Sequence, residues 1–272
     1  MKVYIQTDVE GVAGVVDFDF QTHSNSPGFA QASRLLTAEV NAAVEGALAG
    51  GATEIVVDDG HSHPITLDIE RLHPKAQVIL GTQRPHWLAG LDGTFDGLMM
   101  IGQHPKAATP AGNLSHSFAR DVITEVTLNG QSVGEFGVAA AIAGSFDAAT
   151  ILVSGDEAVC KEAQDLVPGI CTAAVKKGLS RLSALNLSPT AAGNLIRDKA
   201  KAAMEQAKTI GPYRPKPLAQ SPYYRLRIVF SFPIGEQTIR HKAPNINVID
   251  TYTLEYVGDD LFETLDSYHA WG

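Results

Sequence analysis

The chain has 272 residues, of which 44% are hydrophobic and 19% charged, which excludes a disordered polymer and describes an ordinary globular protein with room for a large core. A net charge of −9, with no lysine-arginine cluster to offset it, argues against nucleic acid and anionic membranes as partners. It suits a protein that collects divalent cations.

Val3, Tyr4 and Ile5 form a short apolar run suited to a buried strand, and its early start leaves no room ahead of it for a signal peptide. The run ends in Asp8 and Glu10, carboxylates at i and i+2 that share a face of an extended chain, followed by Gly11 for a sharp turn. They either open an ordinary polar loop or form a pair that needs a proton or a cation between them. The second place would be the carboxyl end of a strand, where open α/β sheets bind ligands. Residues 17–27, rich in Ser, Asn and Asp and containing His23, read as a solvated surface loop. From Phe29 the positions Leu36, Val40, Ala43, Val44, Ala47 and Leu48 recur at helical spacing until Gly50-Gly51.

Ile55-Val56-Val57 is a β-branched run, and the order strand, helix, strand predicts a right-handed βαβ unit with a parallel sheet. It too ends in polar residues, Asp58-Asp59-Gly60-His61-Ser62-His63. Short strands are predicted at 77–80 and 97–102, the latter running into Gln103-His104-Pro105. Residues 107–117 set His116 among Asn113, Ser115 and Ser117. The run 122–128 reaches Asn129-Gly130, the strongest hairpin signal in the chain, and Ser132-Val133 returns. Gly134-Glu135-Phe136-Gly137 leads into an alanine-rich helix whose apolar stretch, 138–143, is far shorter than the roughly 20 residues a bilayer requires.

A strand at 150–153 follows. Asp156 is of the right type for a metal ligand but is explained more simply as the cap of a helix carrying Val159, Ala163 and Leu166. Cys160 and Cys171 make no CxxC and no framework of pairs, so buried thiols in a cytoplasmic protein are expected, with no sulfur-based zinc site. Near residue 180 the character changes to a long helix over 191–208, a proline-rich connection at 211–222, strands at 224–232 and 247–256, and a final helix from 259 to about 269. The expected fold is α/β, a mainly parallel sheet flanked by helices in a metal-binding catalytic domain 1–180, with a smaller C-terminal α+β domain 181–272.

Asp8, Glu10, His61, His104 and Glu135 all follow predicted strands. Three carboxylates and two imidazoles without a thiolate suit Zn²⁺, Mn²⁺ or Co²⁺. Five ligands exceed what one catalytic zinc takes with an open position, and are the number for two metals sharing one carboxylate. Such a pair activates water and polarises a carbonyl, which is hydrolase chemistry.

These residues resemble the bacterial D-aminopeptidases of the dipeptide-transport operon, a group of di-zinc metallopeptidases. The resemblance runs along nearly the whole chain. It is densest in Thr7-Asp8-Val9-Glu10-Gly11, Asp59-Gly60-His61-Ser62, Leu72-His73-Pro74, Ile101-Gly102-Gln103-His104, Leu114-Ser115-His116-Ser117, Val133-Gly134-Glu135-Phe136-Gly137 and the stretch from Thr172 through Lys176 to Ser180-Arg181. It implies that Asp8 bridges two zinc ions, that Glu10 and His61 complete one site and His104 and Glu135 the other, and that His116 is catalytic and not a ligand. It further implies short peptide substrates and a homodecamer with active sites facing an internal channel. Two departures are Gln6, where the family has a serine, and a one-residue insertion at Ala111-Gly112 before His116.

His63 is read as solvent-facing or supporting His61, His73 as a turn residue before Pro74, and His86, His241 and His269 as lacking carboxylate partners nearby in sequence. Lys176 and Arg181 read as surface charges, or, through the resemblance, as residues near the substrate or a subunit contact. The expected activity is removal of an N-terminal residue, D-alanine for example, from short peptides. The rivals are a di-metal amidohydrolase or phosphoesterase on other substrates, and a non-catalytic peptide-binding or assembly protein stapled by metals.

Overall fold

A computed structural model describes residues 1–61, 65–235 and 245–268. His63, His241 and His269 lie outside them. The larger sheet contains β1 (Lys2–Thr7), β2 (Glu54–Asp58), β3 (Ala76–Ile79), β4 (Gly97–Gln103), β7 (Ala149–Asp156), β8 (Cys171–Ser180) and β9 (Ser183–Asn186), in the order β3-β2-β1-β4-β7-β8-β9. All neighbours pair in parallel except β9, which returns antiparallel along β8. β1 and β4 are buried along nearly their whole length, which is why both read as continuous apolar runs.

The chain leaves β1 in one direction, to β2 and β3, and resumes at β4 on the other side of β1. The winding therefore reverses between β1 and β4, and a crevice opens there at the carboxyl edge. Helix α2 (Phe29–Ala49) crosses from β1 to β2 and packs against α5 (Pro189–Gln206), so closely that a Cβ on Gly46 would stand 2.3 Å from Arg197 O. Helices α3 (Glu135–Ser145) and α4 (Glu157–Leu166) follow β4 and β7 with the winding reversed, and right-handed crossovers put them on the opposite face.

A second, antiparallel sheet runs β11-β12-β10-β5-β6, formed by β5 (Ile123–Leu128), β6 (Gln131–Ser132), β10 (Tyr224–Phe230), β11 (Ile246–Asp250) and β12 (Thr253–Gly258), with α6 (Leu261–Asp266) beside it. The two sheets interleave in sequence: the hairpin at Asn129-Gly130 enters the smaller one, and residue 180 falls at the turn between the paired strands β8 and β9. The strand expected over 247–256 is two strands joined at Thr251-Tyr252, and β8 and β9 carry no strong signal because Ala, Lys, Ser and Gly are weak strand formers. Asp156 does cap α4, accepting from Ala158 N at 2.7 Å. Cys160 is buried and Cys171 half-buried, both as free thiols. Among the described residues no helix is long and apolar enough to cross a membrane.

Candidate metal centre

Asp8 and Glu10 follow β1, His61 follows β2, His104 follows β4, and Glu135 opens α3, where a carboxylate also suits the helix N-terminus. His116 comes from the loop between β4 and β5. All six meet at the crevice beside β1 and β4. Gly11 makes the first turn possible: a Cβ there would stand 2.0 Å from Gln103 O, and its N–H donates to Gly102 O at 2.6 Å. The buried Gln6 side chain accepts from Gln103 Nε2 at 3.0 Å and ties β1 to β4.

The segment bearing His61 is pinned from behind. Asp59 Oδ2 accepts from Thr66 N at 2.6 Å and Leu67 N at 3.0 Å, while Arg84 donates to the Asp58 carboxylate and to Asp59 O. The His116 loop holds five non-glycine residues, Ala108, Ala111, Leu114, Phe118 and Asp121, in the left-handed region with φ from 52° to 63°. Each costs of order 1 kcal/mol, so the loop needs external support. Arg181 supplies part of it: its carbonyl accepts from Leu114 N at 2.7 Å and Asn113 Nδ2 at 3.1 Å, and its Nε donates to Ser115 O. Gly178 lets β8 lie against the loop, since a Cβ there would stand 1.9 Å from Ala111 O.

Lys176 is not a surface charge. It is buried, and its Nζ donates to Glu10 O at 2.5 Å, Val15 O at 2.6 Å and Asn113 Oδ1 at 2.8 Å, joining the Asp8–Glu10 turn to the His116 loop. Burial pushes its pKa down to about 8, with Asp156 and Glu39 opposing. Lys176→Met leaves three acceptors without this donor and is expected to destabilise the fold by about 2 kcal/mol or more, measured as a lower denaturant midpoint at unchanged m-value.

The candidate ligand atoms fall into two trios, Asp8, Glu10, His61 and His104, His116, Glu135, each with its atoms within 4.8 Å of one another. Asp8 lies between them: its Oδ2 is 3.3 Å from His104 Nε2, which is 3.2 Å from Glu135 Oε1. His61 Nε2 stands 3.2 Å from Glu10 Oε1. The His104 and His116 rings stack with centroids 3.8 Å apart, and His116 Nε2 is 4.0 Å from Glu135 Oε1. Backbone carbonyls fix both rings, His104 Nδ1 donating to Pro105 O and His116 Nδ1 to Leu114 O, so each presents Nε2 to the centre.

Burial, with Glu10 and Glu135 close by, holds the Asp8 carboxyl well above its ordinary range. Burial would raise Glu10 too, but His61 and His116 hold it well below. Burial works to lower His104, yet Glu135 and Glu10 keep it up at about 9. Burial and the neighbouring His104 push His116 down to about 4, a neutral imidazole at neutral pH.

The residues fit a divalent metal pair. Asp8 Oδ2, Glu10 Oε2 and His104 Nε2 are buried without a hydrogen-bond partner, a costly arrangement that cations relieve. Ligands about 2.0–2.1 Å from a tetrahedral zinc are themselves about 3.3 Å apart. The 3.2 and 3.3 Å separations found here match that edge.

The centre forms one wall of a cavity of 570 Å³. Residues 17–27 are a surface segment only in part: Asp19, Phe20, Ser24, Asn25 and Pro27 are exposed, but the segment includes a short helix, α1 (Phe18–Gln21), and Phe18, Thr22 and His23 line this cavity. Trp87, Phe118 and Arg120 line it too and went unrecognised in the sequence, where nothing links single aromatic residues of separate loops. The remaining described histidines lie elsewhere: His86 pairs with Asp266 at 3.2 Å, and His73 Nδ1 accepts from Lys75 N.

A doubly wound sheet with buried carboxylates and imidazoles crowded at its switch point defines an α/β metallohydrolase. The family model described as D-aminopeptidase matches residues 1–270, and the chain belongs to that family. It is 37% identical over 216 residues to a D-aminopeptidase of Bacillus subtilis (strain 168), covering 79% of this chain and 78% of the relative. It is also similar to the solved structure of the Zn-dependent D-aminopeptidase DppA from Bacillus subtilis, a self-compartmentalizing protease. That match has a TM-score of 0.89 and 33% identity, over 99% of this chain and 95% of the other.

Proposed function

We infer that the protein is a metal-dependent aminopeptidase that removes the N-terminal residue, a D-amino acid such as D-alanine, from short peptides or amides. The observation that carries this is the set of buried carboxylate and imidazole atoms on Asp8, Glu10 and His104 that make no hydrogen bond, in the wall of a cavity of substrate size, in a chain of the D-aminopeptidase family. In this reading Asp8, Glu10, His61, His104 and Glu135 would hold two zinc ions, Asp8 being the carboxylate common to both groups. When bound, the ions supply Lewis acidity toward the carbonyl and bring the pKa of water near neutral. His116 has its Nδ1 proton engaged by Leu114 O, leaving Nε2 as the atom that takes a proton and hands it to the leaving amine. Phe18, Trp87 and Phe118 form apolar walls that limit water around the reacting bond.

Assembly into a homo-oligomer, ten copies by the resemblance, is supported by the description of DppA as self-compartmentalizing and by the exposed Leu179, Leu182 and Leu185 on the β8–β9 hairpin. A cytoplasmic setting fits the two free thiols.

Metal analysis and turnover test the reading together. About two divalent ions per chain are expected after zinc reconstitution, with cleavage of D-alanyl amides and dipeptides ahead of their L-counterparts. Chelation is expected to lower the melting temperature, since a ligand present at about a thousand times its Kd adds about 4 kcal/mol to the folded state. A protein that takes up no zinc, manganese or cobalt refutes the assignment.

A further inference from the structure

We propose that Arg120 anchors the free α-carboxylate of a di- or tripeptide whose N-terminal residue lies at the metal centre, an inference that rests on the aminopeptidase reading above. Among the described residues lining the cavity, Arg120 is the single lysine or arginine. The chain has a net charge of −9, and apart from the metal centre itself no other described lysine or arginine lines the cavity to receive the carboxylate of a free C-terminus.

The reach is right. The Arg120 guanidinium carbon stands 4.7 Å from the centre of the Phe18 ring, and that ring meets the His116 ring edge-to-face at 5.4 Å. Guanidinium and catalytic imidazole therefore lie within about 10 Å, a distance that two or three extended residues span at about 3.3–3.6 Å each. Packing over Phe18 also holds the guanidinium in place before a ligand arrives.

Two aspartates already touch it: Asp19 Oδ1 is 3.0 Å from Nη1, and Asp121 Oδ2 is 3.5 Å from Nε. Their side chains are 84% and 62% exposed, and exposed pairs hold weakly, so a substrate carboxylate that offers two oxygens to the planar fork competes with them. Arg181 approaches the same ring at 5.4 Å, but its Nε is bonded to Ser115 O and its Nη2 to Asp121, so it holds the His116 loop and does not line the cavity.

The test compares D-alanyl-D-alanine with its C-terminal amide on the zinc-reconstituted full chain. Wild type is expected to favour the free acid in kcat/KM by about tenfold or more, mainly through KM. Arg120→Gln brings the acid-to-amide ratio close to one, and Arg120→Lys, which keeps the charge but not the fork, falls between. The same comparison is made by calorimetric binding of reduced-amide analogues of the two peptides, which cannot be cleaved. Equal treatment of acid and amide by wild type, or an unchanged ratio in Arg120→Gln, overturns the anchor. If wild type cleaves neither peptide yet binds the reduced acid more tightly through Arg120, the anchor stands and the aminopeptidase reading falls.

Discussion

His116→Ala is expected to lower kcat by about 10²–10⁴-fold while leaving two divalent ions per chain and the assembly intact, the usual loss when a general acid-base residue is removed. The imidazole is held for that task. Its Nδ1 proton is fixed by Leu114 O, its ring is stacked on His104, and burial with the neighbouring His104 keeps it neutral at neutral pH, with Nε2 able to accept a proton. A specific observation favours a second role: His116 shares a trio with His104 and Glu135, its Nε2 standing 4.0 Å from Glu135 Oε1. Metal analysis on the variant separates the two. Loss of one ion in step with activity would make His116 a ligand, and turnover within a few-fold of wild type would leave it a loop histidine of structural importance only.

Asp8→Asn is expected to release both ions and abolish turnover, whereas His104→Ala weakens mainly one. Asp8 is the residue that connects the trios, adjoining Glu10 in the Asp8–Glu10 turn and reaching His104 Nε2 with Oδ2 at 3.3 Å, while Oδ1 is engaged by Val9 N at 2.9 Å. Equal ion loss in the two variants, counted by elemental analysis, would argue against bridging by Asp8.

Stability in chelator gives the same residue a second signature. The folded protein raises the Asp8 pKa above its unfolded value, so this carboxyl's contribution is full only below the unfolded pKa of about 4 and is lost as pH rises through the raised one. Metal-free Asp8→Asn is therefore expected to outlast metal-free wild type in denaturant at pH 7. The gap should close as the pH is lowered toward 4.

Much of the centre was legible before any coordinates. Apolar runs at 3–5, 55–57 and 97–101, each ending in acids or imidazoles, placed Asp8, Glu10, His61 and His104 at strand ends, because buried parallel strands leave a strong local signal and their polar endings are adjacent in sequence. Glu135 was found because a hairpin and an alanine-rich helix bracket it. The misread pieces have weak or misleading local signals. Residues 17–27 are polar in composition, yet Phe18, Thr22 and His23 among them face a cavity. Lys176 carries the residue type most often exposed, and its burial depends on three acceptors brought from residues 10, 15 and 113.

By itself the sequence determined the element types, the parallel character of the main sheet and the oxygen-and-nitrogen chemistry of the centre, since all three follow from local pattern and side-chain identity. Only the tertiary structure decided that β4 lies beside β1. That strand order puts the winding reversal between Asp8 and His104, and it brings residues nearly a hundred positions apart to 3.3 Å. The cavity walls were decided in the same way, with Phe18 contributed by α1 and Trp87, Phe118 and Arg120 by two loops. The reason is physical: strand order and loop packing are set by nonlocal burial, and periodicity along one chain carries no record of which distant surfaces exclude water together.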